Sequence, residues 1–162
     1  MTMTDEPLPA RPAATVMLIR DGRSPLEIFL MRRHSAMEFV AGVMVFPGGG
    51  VDDRDRTADV AWHGPDRQWW AERFGVDPDL ASALVCAAAR ETFEECGVLF
   101  AGAADDPDLL VDDASVYREQ RAALENKSLS FAEFLRSENL MLRADLLRPW
   151  ANWVTPKEER TR

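Results

Sequence analysis

Cysteine is scarce in this 162-residue chain, which holds only Cys86 and Cys96. Two thiols do not supply the four ligands of a structural zinc site. Ten residues apart on one helix face, they read as small buried hydrophobes rather than as a disulfide. Basic charge is scarce as well: 19 Lys and Arg stand against 28 Asp and Glu, a net charge of −9 with a pI near 4.7. That balance excludes a protein that grips nucleic-acid phosphates with a basic patch. An acidic chain can still take a phosphorylated small molecule where metal ions bring the positive charge. No continuous apolar run is long enough to span a membrane, and the N-terminus carries no cationic stretch ahead of an apolar one, so neither a membrane segment nor a secretory signal is expected. There is no internal repeat and no low-complexity segment. A cytoplasmic protein without membrane or nucleic-acid partners is the expectation.

What is present is ordinary for a globular domain. Hydrophobic residues make up 46% and charged residues 29%, and the length suits a single domain spanning 1–162 with a sizeable core. Ala14 to Ile19 and Leu26 to Met31 are two apolar, β-branched runs around Asp21-Gly22, which predicts a hairpin with a loop of about six residues. Arg32-Arg33-His34 follows at once; the three side chains are either a solvated strand end or, with Arg33 foremost, a phosphate contact. A further strand is predicted within Phe39 to Phe46, ending in Pro47-Gly48-Gly49-Gly50, where the glycines permit close backbone approach. Residues 56–79 read as an insertion whose tryptophans, Trp62, Trp69 and Trp70, cover core or a partner rather than stack bases. Ala101 to Asp108 reads as loop and Ser115 to Leu124 as an amphipathic helix. Ser130-Phe131-Ala132-Glu133 reads as a capping box opening a short helix. Asn139 to Arg148 shows no clear period, and Pro149 to Pro156 reads as the start of a strand.

The informative stretch is Ala87 to Val98, predicted as the end of a helix running from about Leu80 to Cys96 with Asp79 as its cap and Gly97 as its stop. At about 100° per residue, Glu91, Glu94 and Glu95 share one face, while Cys86, Ala89, Phe93 and Cys96 share the other. Like charges at three and four residues' separation cost about 0.2–0.5 kcal/mol each on a bare helix. Only Arg90 can reach back to them, toward Glu94. The face is therefore either a solvated acidic surface or a platform for a hard divalent cation with oxygen ligands.

Phe46-Pro47-Gly48-Gly49 followed by Arg90-Glu91-Thr92-Phe93-Glu94-Glu95-Cys96-Gly97-Val98 resembles the Nudix hydrolase signature, G-x5-E-x7-R-E-U-x-E-E-x-G-U with U bulky and apolar. The second half matches at its fixed positions, with Thr92 a weak occupant of the first U. In the first half the glutamate's place, counted from Gly49, is taken by Asp55, a methylene shorter. Arg90 lies 35 residues beyond it in place of 8, an insertion of 27. Such an interrupted box, with Trp150 to Pro156 after it, is similar to the Nudix branch that includes a peroxisomal coenzyme A diphosphatase. The resemblance runs from about 13 to 156.

The resemblance implies an α/β/α sandwich with a mixed sheet, here without the C-terminal strand and helix that close the family domain, as in a truncated chain. It implies Mg²⁺ or Mn²⁺ held by Glu91, Glu94, Glu95 and the Gly49 carbonyl, with Arg90 orienting the glutamates, and Gly48, Gly49 and Arg33 beside the substrate. The implied reaction is hydrolysis of a phosphoanhydride in a nucleoside diphosphate-linked molecule, such as coenzyme A or a derivative. No general base is assigned, and no role is assigned to Asp55. Strand edges left open by the missing part lead to the expectation of a homodimer or swapped oligomer. The competing reading is a Nudix-fold nucleotide-binding or regulatory module without turnover.

Overall fold

The computed structural model describes residues 9–23, 25–32, 43–57 and 59–157. Arg33 and His34 lie outside the described residues. The order is β1 (Ala13–Thr15), β2 (Ile19–Arg20), β3 (Glu27–Ile28), β4 (Met31–Arg32), β5 (Met44–Val45), β6 (Gly48–Gly50), α1 (Asp53–Arg56), β7 (Trp62–His63), α2 (Arg67–Phe74) and α3 (Pro78–Cys96). There follow β8 (Ala101–Ala103), β9 (Asp106–Leu110), a 3₁₀ turn (Ala114–Tyr117), α4 (Arg118–Glu125), α5 (Phe131–Ser137), β10 (Leu140–Arg143) and a last 3₁₀ turn (Ala144–Leu146).

The long helix α3 is the axis of the molecule. It starts earlier than the spacing predicts: Asp77, not Asp79, caps it, accepting from the Leu80 N–H at 2.9 Å, and Pro78 takes the first helical position. Proline suits that place because its missing N–H would have had no helical partner anyway. Gly97 ends the helix in the left-handed region, at φ 74°. In between, Ala81, Ala83, Ala87, Ala88 and Ala89 are buried on several sides, so neighbours approach its backbone closely. The predicted packing face holds at Cys86, Ala89 and Phe93, but Cys96 is only half-buried. Phe93 stacks on Phe134 of α5 with ring centroids 5.5 Å apart and planes 8° from parallel.

Against α3 lies a four-stranded mixed sheet in the order β7-β10-β8-β9, with β7 parallel to β10 and the other pairs antiparallel. Its central strand, β10, has every residue buried. A strand buried on both faces shows no polar–apolar alternation, which is why Asn139 to Arg148 gives no period. The predicted loop at 101–108 is instead the β8–β9 hairpin. Nor is the segment 56–79 a simple excursion. It delivers β7 to the sheet edge beside Leu142 and Arg143, and α2 to the flank of α3, where Trp70 is 1% exposed with Phe74 tilted against it at 5.3 Å. The tryptophans there cover core.

The N-terminal strands form three small antiparallel pairs: β2 with β3 (Ile19 opposite Ile28), β4 with β5, and β1 with β6. The predicted hairpin is present, but the first apolar run divides between β1 and β2. The glycines are not a loop. Gly48 to Gly50 pair with Thr15 to Ala13 as a strand, and Gly48, at φ 154°, has no room for a Cβ against the Ala14 carbonyl oxygen. The Ser130 capping box forms as predicted. The predicted strand at 149–156 does not, and Trp150 and Trp153 are 83% and 85% exposed. No helix among the described residues is long and apolar enough to cross a membrane.

Candidate active site

The last turns of α3 pass beneath β6 and beside α1, and Arg90 is where the three meet. It faces carboxylates on two elements, and its side chain is 9% exposed. The guanidinium donates through Nε and Nη2 to the Asp55 carboxylate at 3.0 and 2.9 Å, and through Nη2 to the Gly50 carbonyl at 3.0 Å. Its Nη1 donates to Glu91 at 2.8 Å and to Glu94 at 3.2 Å. Burial opposes the positive charge, but the hydrogen bond to Asp55 and the fields of Asp55, Glu91 and Glu94 outweigh it, and the guanidinium pKa stays raised. The acidic face is thus compensated from within: the helix's own arginine separates Glu91 from Glu94.

Asp55 is the Arg90 partner that the spacing locates without assigning it a role. It sits in α1, whose cap is a reciprocal box: Asp52 accepts from the Arg54 N–H at 3.0 Å, and Asp55 accepts from the Asp52 N–H at 2.8 Å. That local motif turns the Asp55 carboxylate inward, where the residue is 4% exposed and both its oxygens accept from Arg90. The signal was the count of six from Gly49. The shorter side chain suits a carboxylate that holds Arg90 rather than one that reaches into the cleft.

The three predicted glutamates are placed differently from one another. Glu91 and Glu94 are half-buried and border a cleft of about 280 Å³ together with Gly50, Asp52, Arg54 and Lys127. Burial raises the Glu94 pKa, with Arg90 pulling it down and Glu91 and Asp55 pushing it up. Glu95 is more exposed and accepts the Gly48 backbone N–H at 2.7 Å. Gly49 lies directly over Glu91: a Cβ there would come 2.5 Å from the carboxyl carbon and both its oxygens. Arg121 of α4 fastens the end of the helix, donating twice to the Glu94 carbonyl at 2.9 and 2.7 Å. Cys86, below Arg90, has its thiol pushed up to about 12 by burial and is inert.

A hard divalent cation would find oxygen donors of the right chemistry in Glu91, Glu94, Glu95 and the β6 carbonyls, and the missing side chain at Gly49 leaves space before Glu91. Among the described residues, however, no three His, Cys, Asp or Glu side chains already converge as a metal site. The carboxylates are turned instead to Arg90 and to the Gly48 N–H.

The fold has a solved counterpart. A NUDIX hydrolase from Alicyclobacillus acidocaldarius superposes with a TM-score of 0.62 over 83% of this chain at 28% identity. The chain resembles Nudix hydrolases in its fold. Its Nudix fold is the mixed α/β arrangement described above. No family model matches the chain. By sequence it is also similar to the acyl-coenzyme A diphosphatase NUDT19 of Xenopus laevis, 24% identical over 169 residues that take in 85% of this chain. The chain spans 44% of that relative's length and 57% of the solved Nudix hydrolase.

Proposed function

We propose that this Nudix domain hydrolyses a phosphoanhydride in a nucleoside diphosphate-linked small molecule, with coenzyme A or a derivative as the candidate substrate class. The carrying observation is the Arg90 clasp, which ties Asp55, Glu91, Glu94 and the Gly50 carbonyl into one unit at the edge of a cleft. Glu91, Glu94, Glu95 and the Gly49 carbonyl would hold Mg²⁺ or Mn²⁺, and Gly48 and Gly49 would lie beside the substrate. A divalent cation supplies neutralisation of the diphosphate oxygens and a more acidic water.

The chain's own contribution is positioning. Asp55 holds Arg90, Arg90 fixes the spread between Glu91 and Glu94, and the Gly48 N–H sets the direction of Glu95. Each glutamate therefore keeps a defined place before substrate arrives, which lowers the ordering cost of reaching a reactive geometry. The similarity to an acyl-coenzyme A diphosphatase supports the substrate class.

Product release from coenzyme A, ADP-ribose, NADH and nucleoside triphosphates, measured with Mg²⁺ and with Mn²⁺, tests the reading. The expected result is metal-dependent cleavage of a diphosphate conjugate that Glu94→Gln with Glu95→Gln abolishes; undiminished turnover in that double variant would remove the assignment. A second reading, a nucleotide-binding module without turnover, rests on a different observation: among the described residues no three His, Cys, Asp or Glu side chains converge as a metal site. Calorimetry showing tight nucleotide binding with no product formed would select it.

A further inference from the structure

Among the described residues, the cleft beside the glutamates is bordered by three cationic side chains, and two are committed to fixed partners. Arg90 spends its donors on three carboxylates and a carbonyl. Arg54 pairs with Asp52 through Nε at 3.2 Å, and its Nη1 donates to the carbonyls of Lys127 and Leu129 at 3.2 and 3.3 Å. Lys127 is held loosely. Its ammonium lies 3.8 Å from Asp52 Oδ2 and its side chain is 73% exposed.

The backbone at Lys127 is an independent anomaly. The residue sits just past the C-cap of α4 in a Schellman turn: its N–H donates to the Leu124 carbonyl at 2.9 Å, and the Ser128 N–H donates to the Ala123 carbonyl at 2.9 Å. That turn requires the left-handed region, and Lys127 has φ 63°. Glycine ordinarily fills such a place, with asparagine next. The other left-handed helix ends here follow that rule: Gly75 after α2, Gly97 after α3 and Asn139 after α5. A lysine where glycine folds better is a strained residue at the edge of a functional cleft, and such strain points to use of the side chain. Arg54 then has a purpose beyond its ion pair. By binding the carbonyls of residues 127 and 129, it fastens this turn to α1, and α1 is fastened to Arg90 through Asp55.

We infer that Lys127 is a substrate-phosphate contact of the cleft, with Arg54 as the positioning residue that holds its turn over the carboxylate helix. The inference rests on the diphosphate hydrolase reading for the identity of the substrate, but not for the phosphate contact itself. A compact ammonium on a flexible stem, loosely paired with Asp52, can swing to a phosphate oxygen without breaking a buried pair.

The test compares wild type, Lys127→Gly and Lys127→Arg by thermal unfolding and by calorimetric binding of inorganic pyrophosphate with Mg²⁺. Relief of the left-handed strain should raise the Tm of Lys127→Gly by about 3 °C. The same substitution should weaken pyrophosphate binding about 10-fold or more, as loss of a charge-assisted contact does, while Lys127→Arg stays within a few-fold of wild type. A purely structural lysine would leave binding unchanged when glycine replaces it, and that result overturns the inference; so does a wild type that fails to bind pyrophosphate at millimolar concentration. The two readings fail separately. Wild type that binds pyrophosphate through Lys127 but cleaves no diphosphate conjugate loses the hydrolase reading alone. Wild type that cleaves one with KM unmoved by Lys127→Gly loses the phosphate contact alone.

Discussion

Arg90 and Asp55, 35 residues apart in sequence, form a buried two-pronged ion pair with Nη2–Oδ2 at 2.9 Å and Nε–Oδ1 at 3.0 Å. The pair joins the two halves of the interrupted Nudix box across the inserted β7 and α2. The carboxylate side chain is 2% exposed and the guanidinium 9%, so neither has water to fall back on.

Removing Arg90 strands the Asp55 charge. Arg90→Met should destabilise the fold by about 3–5 kcal/mol, the usual cost of an uncompensated buried charge. Asp55→Leu with Arg90→Met should cost less than the sum of the two single changes, because no orphaned charge remains. Urea unfolding of the four proteins measures this coupling, and strict additivity would show that the pair is not a unit.

Gly49→Ala probes the cleft rather than the core. The added Cβ would meet the Glu91 carboxyl at 2.5 Å and push it aside. A displacement of about 1 Å in a positioned group can cost about 100-fold in rate. The expected outcome is a loss of hydrolysis of at least about 10-fold with circular dichroism unchanged.

Acid should unpick the cap of α1. Hydrogen bonding from the Arg54 side chain, then from its backbone N–H, holds the Asp52 carboxyl down to about 2, against an ordinary value of 3.8. A depressed folded pKa means that the stabilisation is complete above about pH 4 and disappears as pH falls through about 2. With the side chain 23% exposed, its size is about 1–2 kcal/mol. Urea midpoints recorded from pH 7 to pH 2 should fall more steeply for wild type than for Asp52→Asn, and parallel curves would contradict the assignment.

Phe93 carries the packing side of the glutamate helix. It is fully buried and stacked on Phe134. Phe93→Ala should cost about 3–5 kcal/mol, a transfer loss plus a cavity, seen as a lower denaturant midpoint. Phe93→Leu should recover much of it by refilling the space.

Much of α3 was legible because its signals are local. Side chains at three- and four-residue spacing share a face whatever the rest of the chain does, and Gly97 stops the helix by its own backbone freedom. The Ser130 capping box is legible for the same reason, since both its hydrogen bonds close within four residues. The start of α3 was misplaced by two residues because Asp77 and Asp79 are both good caps, and only the position of Pro78 between them decides.

The rest depended on contacts between residues distant in sequence. Strand β10 was invisible because burial on both faces erases alternation. The glycines of β6 carry no strand propensity and are extended because β1 pairs with them. The glutamate spacing determined that one helix would carry an acidic face and resemble a Nudix box. The spacing put Arg90 within reach of Glu94, and tertiary structure alone brought Asp55 to the same guanidinium. The segment between Asp55 and Arg90 carries β7 to β10 and α2 to α3, and in the folded chain the two halves of a divided motif share one guanidinium.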